Sequence, residues 1–299
     1  MLALLIAITA ALLVPGGSDS GRRVATAPKG APRRIVAIAS NDEAVVLSTA
    51  TGKRAHAAAA PGYARSSEIA VSPDARELYY VRGDSGSDCS EHTIVRMPLG
   101  RDGPRVTVAR GATDPSVSPD GGHLAFVRCA RGFPKTSELV LHDLDAREDR
   151  VVSDSTGSFT ITGLHFAPDS RHAMYRVRGD VFDNGRSLDG YFDVDLVGGE
   201  ALPGLVLPLD ASVDWSGYRG TTGELLGVAG RAVVSARLDS PPYGPHRLFE
   251  LPRPPRSVAA DRTGRHVLAV AGDSLYRWTE GDGRPTLVGT GYVAAAWLR

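Results

Sequence analysis

The sequence predicts an all-β fold in which one four-stranded antiparallel unit recurs around a ring, and three observations carry that expectation. The first is a repeat: SEIAVSPDARELYYVR at residues 67–82 returns as DPSVSPDGGHLAFVR at 114–128 and as TGLHFAPDSRHAMYRV at 162–177. The second is its period. With the Ser of the Ser-Pro-Asp turn as marker, copies fall at Ser72, Ser118, Ala167, Ser216 and Asp261, giving spacings of 46, 49, 49 and 45 residues. The third is alternation: His123-Leu124-Ala125-Phe126-Val127 has the two-residue rhythm of a strand, which excludes a solenoid of helices. Four short strands per period of about 45 residues make one blade of a β-propeller.

Each element follows from local chemistry. Residues 1–14, MLALLIAITAALLV, are an unbroken apolar run. That is short for a membrane span, which needs about 20 residues, and suits the apolar region of a signal peptide or an N-terminal membrane anchor. A segment of residues 1–17 with that role is followed by a polar, Gly/Pro-rich linker at 18–32 and by a β domain at 33–299. Residues 33–39 read as a second blade strand with no first strand before it, 42–49 as a third and 53–59 as a fourth. In each later copy Pro sets the first central turn residue and Asp accepts hydrogen bonds from its own backbone, so two strands meet in a tight turn. Third strands follow at 93–97, 138–142, 191–195, 232–236 and 274–278, and fourth strands at 105–109, 246–251 and 285–288. The copy around Ser216 has lost its Pro, and the one around Asp261 keeps only Thr-Gly.

The two ends explain each other. Residues 291–299, GYVAAAWLR, read as a first strand with nothing after it, and Trp297 matches Trp215. A ring must close or leave exposed strand edges. The C-terminal strand is therefore expected to complete the N-terminal blade, for six blades in all.

Composition narrows the function. The chain carries 34 basic and 34 acidic residues, so it lacks the electrostatic footprint of a nucleic-acid binder. Its two cysteines, Cys89 and Cys129, each lie just after the second strand of neighbouring repeats, a placement that permits a disulfide in an oxidising compartment. Neither has the spacing or His companions of a zinc site.

The Ser-Pro-Asp-(Gly) turn followed by a strand such as LAFV resembles the WD40-like repeat of TolB-type six-bladed propellers. The resemblance covers residues 33–299 and is clearest at 67–82 and 114–128. It implies the propeller fold without the α/β domain that precedes it in TolB, and without the hydrolase domain that follows it in prolyl-oligopeptidase-type enzymes.

Several motifs suggest chemistry and read better as structure. Gly83-Asp84-Ser85-Gly86 spells a protease nucleophile segment, but a loop of this kind lacks its His and Asp partners. Arg82-Gly83-Asp84 and Arg178-Gly179-Asp180 spell adhesion tripeptides and read as strand ends. Asp180, Asp183, Asn184, Asp189, Asp193 and Asp195 offer oxygen ligands to a hard cation without the EF-hand register. His123, His172 and His266 recur just past the turns and read as polar strand starts, or else as side chains around a channel mouth.

These readings converge on an exported, monomeric, non-catalytic propeller of the cell envelope that binds a protein or peptide partner. It has no cofactor, metal or nucleic acid, and touches a membrane only through an N-terminal anchor. The expected interaction surface is the face carrying the long second-to-third strand loops, with Phe133, Lys135, Phe182, Asp183 and Arg186 as contacts. The alternative is a propeller that binds a small ligand or metal in its central channel, as an enzyme would.

Overall fold

The repeat turn is closed by its own polar groups. The Ser72 amide donates to the Glu77 carbonyl at 3.0 Å and the Ala75 amide to the Ser72 carbonyl at 2.8 Å. The Ser72 hydroxyl donates to Asp74 at 2.6 Å and accepts from the Glu77 amide at 2.9 Å. Ser118 repeats the pattern with Asp120 and His123, at 2.6 and 2.9 Å. Thus Ser and Asp consume the donors and acceptors that a tight hairpin leaves unpaired.

The computed structural model describes residues 34–41, 43–48, 52–59, 64–83, 89–99, 103–129, 137–154, 158–180, 187–198, 205–206, 212–237 and 244–298. Blade 1 contains β1 (Arg34–Ala39), β2 (Glu43–Ser48) and β3 (Arg54–Ala59). Blade 2 contains β4 (Ala64–Val71), β5 (Glu77–Arg82), β6 (Thr93–Pro98) and β7 (Val106–Arg110). Blade 3 contains β8 (Ala112–Val117), β9 (His123–Cys129), β10 (Ser137–Asp143) and β11 (Glu148–Asp154). Blade 4 contains β12 (Ser158–Phe166), β13 (His172–Asp180), β14 (Ser187–Asp195) and the two-residue β15 (Leu205–Val206). Blade 5 contains β16 (Asp214–Tyr218), β17 (Glu224–Ala229), β18 (Ala232–Arg237) and β19 (His246–Glu250). Blade 6 contains β20 (Pro255–Ala260), β21 (His266–Ala271), β22 (Ser274–Thr279) and β23 (Thr286–Thr290). The last strand, β24 (Tyr292–Leu298), returns to blade 1 in the order β24-β1-β2-β3. The ring closes as the sequence predicts, with Arg34 opposite Leu298 and Ile35 opposite Trp297.

Packing explains why the second strands are apolar on both sides. One buried cluster fills each of the six junctions between blades. Val36 and Ile38 of β1 pack toward blade 2, whereas Ile35 and Ala37 pack toward blade 6. A strand covered on both faces loses its polar alternation.

One marker moves. The blade 5 residue equivalent to Ser72 is Arg219, not Ser216, because the Arg219 amide makes the hairpin bond to the Glu224 carbonyl, at 2.7 Å. Trp297 therefore corresponds to Tyr218 and not to Trp215: Trp297 pairs with Ile35 as Tyr218 pairs with Leu225. The physical reason is a changed turn. Arg219, buried to 5% exposure, donates to the Gly264 carbonyl, Glu224 and Glu280 at 2.8, 2.8 and 2.9 Å, tying the blade 5 turn to blade 6.

Candidate functional site: the channel and its loop-side mouth

Six inner strands surround the axis. In each the residue just before the turn faces the second residue of the next strand: Val71 with Leu78, Val117 with Leu124, Phe166 with Ala173, and Ala260 with Val267. One step earlier come Ala70, Ser116, His165, Gly217, Ala259 and Ala296, all lining one cavity of about 270 Å³. Five of these six are small, since the strands converge there, and His165 is the exception. Its ring lies against Gly217, where a Cβ would come within 3.1 Å of the imidazole. Burial pushes the His165 imidazole down to about 4, with Asp214 pulling the other way, so it is neutral at pH 7. Neither of its nitrogens has a hydrogen-bond partner among the described residues. This cavity also reaches Pro119, Pro168 and Arg262 on the turn side.

A second cavity of about 300 Å³ shares His165, Ser216, Ser257 and Val258 with the first, so the two are successive parts of one channel. It lies toward the opposite face, where β13 leads into β14, and is lined by Asp114, Thr162, Arg176, Arg178, Asp214 and Arg256. Arg176, with 6% of its side chain exposed, donates to both oxygens of Asp189 at 2.8 and 3.0 Å and to Asp214 at 3.3 Å. Its guanidinium also lies 5.2 Å above the Tyr191 ring and donates to the Tyr191 hydroxyl at 3.2 Å. Hydrogen bonds from Arg176 hold Asp189 below the usual carboxylate range. Asp114, at φ +52°, accepts from the Gly163 amide at 2.9 Å and from the Thr113 hydroxyl at 3.1 Å, joining blades 3 and 4. Arg178 lies 3.5 Å from Asp189, while exposed Arg256 has no hydrogen bond or ion pair among the described residues.

Cys89 and Cys129 form a disulfide with a Cα–Cα distance of 5.8 Å. It joins the short 3-10 turn Cys89–Glu91 of blade 2 to the end of β9 in blade 3, on the loop side. Phe133, Lys135, Phe182, Asp183 and Arg186 lie outside the described residues, as do Asp84, Ser85 and Asn184. The described members of the acidic stretch do not converge. Asp189 serves Arg176 and Asp195 serves Arg171, and the six strand steps from one to the other span about 20 Å. Among the described residues no group of three or more metal-binding side chains occurs. Arg178-Gly179-Asp180 is paired strand with neighbours on both sides. His172 contacts Asp169 at 2.6 Å and His266 contacts Thr279 at 3.2 Å, both as polar strand starts. The histidine of the channel is His165, which sequence reasoning missed together with Arg176 and Arg256. Its signal was the position two before the turn, where the other copies carry only small residues.

No family profile matches this chain, and no curated protein matches it either. Solved structures do. TolB from Acinetobacter baumannii superposes with a TM-score of 0.60 at 16% identity, over 88% of this chain and 65% of that one. A putative TolB from Agrobacterium tumefaciens gives 0.57 at 16% identity, over 89% and 94%. This chain thus spans just under two thirds of the Acinetobacter protein. At such identities the likeness is one of fold: a six-bladed propeller of the TolB type.

Proposed function

We propose that this chain is an exported, non-catalytic propeller that binds a protein or peptide segment in the loop-side mouth of its channel. The observation that carries the reading is unspent polarity. On the turn side Ser72, Ser118, Asp120 and Asp261 are consumed by their own hairpins. In the loop-side mouth the guanidinium of Arg256 and the hydroxyls of Thr162 and Ser257 have no partner among the described residues. A concave surface with a few convergent polar groups is what a ligand site requires.

Support for a non-catalytic role comes from the best nucleophile–base pair among the described residues. Ser235 contacts His246 Nε2 at 2.8 Å, but Ser235 is fully buried and also donates to Glu224 at 3.2 Å. No carboxylate orients His246 among the described residues, so the pair lacks both access and its third member. Export is supported by the disulfide together with the apolar run at residues 1–14. A second reading, a small ligand enclosed in the channel, is favoured by the unpartnered His165 between the two cavities.

Selection of displayed peptides against the purified chain tests the proposal, with an Arg178→Glu/Arg256→Glu variant as counter-target. Peptides held by the native chain and released by the variant are expected. Clones that bind both equally, or no clones at all, would refute the site.

A further inference from the structure

Resting on the reading of the loop-side mouth as a peptide site, we infer that the bound peptide ends there in a free C-terminal carboxylate, received by Arg256 with help from the hydroxyls of Thr162 and Ser257. Thr162, Asp214 and Arg256 stand at the same sequence offset on β12, β16 and β20, each five residues before its turn residue, Ala167, Arg219 and Asp261, with Arg256 in the bulge between Pro255 and Ser257. Blades 2, 3 and 4 carry a hydroxyl at that offset, Ser67, Thr113 and Thr162, whereas blades 5 and 6 carry Asp214 and Arg256, so the repeat does not explain the two charges.

Charge pairing then isolates one cation. Arg176 is satisfied by Asp189, Asp214 and Tyr191, and Asp189 is also the neighbour of Arg178. Arg256 is exposed at the mouth and has no ion-pair or hydrogen-bond partner among the described residues. A planar guanidinium with adjacent hydroxyl donors matches a carboxylate in charge and geometry.

The two carboxylates of the lining decide between anions. Asp114 and Asp214 would repel a dianion such as phosphate. A peptide terminus brings a single negative charge followed by amide N–H donors, which those same carboxylates can accept. His165, neutral and unpartnered, stands deeper in the channel as a further hydrogen-bonding group. The mixed lining therefore suits a chain end better than an isolated anion, and end recognition by a few fixed donors is a known mode of peptide capture.

The experiment uses the intact chain and two pools of N-acetylated random hexapeptides, one with free C-terminal acids and one amidated, with retained species identified by mass spectrometry. The acid pool is expected to be retained, and amidating its best binder should weaken affinity roughly ten- to a hundredfold. Arg256→Ala should abolish that preference with an unchanged melting temperature, and Arg256→Lys should restore part of it. Acids and amides retained alike would overturn the carboxylate assignment while leaving the peptide site standing. If neither pool is retained, both readings fall. Displacement of the acids by inorganic phosphate would overturn the assignment in favour of a general anion site.

Discussion

The two mouths of the channel share β8, β12, β16 and β20 and are spent differently. On the turn side the Ser and Asp of the turns work for the hairpins that carry them: Ser118 gives its hydrogen to Asp120 and takes one from the His123 amide, and Asp261 accepts from the Thr263 hydroxyl and the His266 amide. Neighbouring turns are tied as well, since the Asp120 amide donates to Ser170 at 3.0 Å and the Thr221 amide to the Arg262 carbonyl at 2.9 Å. On the loop side the repeat has faded, and Thr162, Asp214 and Arg256 differ from blade to blade. Repetition marks the face that holds the ring together; departure from it marks the face where the proposed peptide would bind.

Four perturbations sharpen or break that contrast. The largest effect is expected from deleting Tyr292–Leu298, which removes a channel wall, opens blade 1 and takes away Trp297, which is 7% exposed and donates to the Ala259 carbonyl. Loss of the buried Trp alone costs about 3–5 kcal/mol, so the shortened chain should not melt cooperatively in circular dichroism. A melt like that of the intact chain would show that closure does not support the fold. Next is Gly220→Ala on the turn side. Gly220 has φ +63°, and a Cβ would lie 2.4 Å from the Gly264 amide nitrogen, so strain and clash together cost about 3 kcal/mol, read as a lower urea midpoint.

The third concerns His165, midway between the mouths. Its folded-state value of about 4 lies below the ordinary 6.5, so the unfolded chain takes up this proton first as pH falls. Stability from this group is complete above about pH 6.5 and is lost as pH drops toward 4, by an amount on the order of 2–3 kcal/mol. Urea unfolding at pH 7 and pH 4.5 should show that loss, and His165→Gln should reduce it; an equal loss in the variant sinks the assignment. The smallest effect is a matched pair. Ser118→Ala removes a fully buried hydroxyl, leaves the part-buried His123 amide without its acceptor and should cost about 1–3 kcal/mol. Arg256→Ala should change stability by less than about 0.5 kcal/mol. Comparable losses from both would erase the distinction between the faces.

The propeller was legible because its determinants are local. Ser-Pro-Asp at Ser72 and Ser118 writes a hairpin in three residues, and the truncated copies at the two termini imply each other. The pairing of Cys89 with Cys129 followed from equivalent places in adjacent copies. Blade 5 misled by three residues because Arg219 took over the turn with a side chain that bonds to blade 6, and nothing nearby in the chain announces such a partner. The loop-side mouth was harder still. Asp114, Arg176 and Arg256 come from three blades and meet only once the ring has formed, so no stretch of sequence contains the site. The loop residues Phe133 and Phe182 lie outside the described residues, and the polar mouth now carries the functional reading.

Ring closure also sets an order of events in time. Arg34 and Leu298 meet across 264 residues (298 minus 34), for which chain-closure entropy alone is roughly 5 kcal/mol if the intervening chain is unstructured. The hairpins of blades 2 to 6 have no such handicap, so the hypothesis is that β24 docks last, onto a ring already formed. A substitution such as Ala294→Gly, at a fully buried site in β24, should then speed unfolding and leave the refolding rate nearly untouched. Stopped-flow measurements in which refolding slows by as much as unfolding quickens would place this strand in the nucleus instead. If it docks last, the clasp is also the first contact to open, and the lifetime of the native ring is set by its final seven-residue strand.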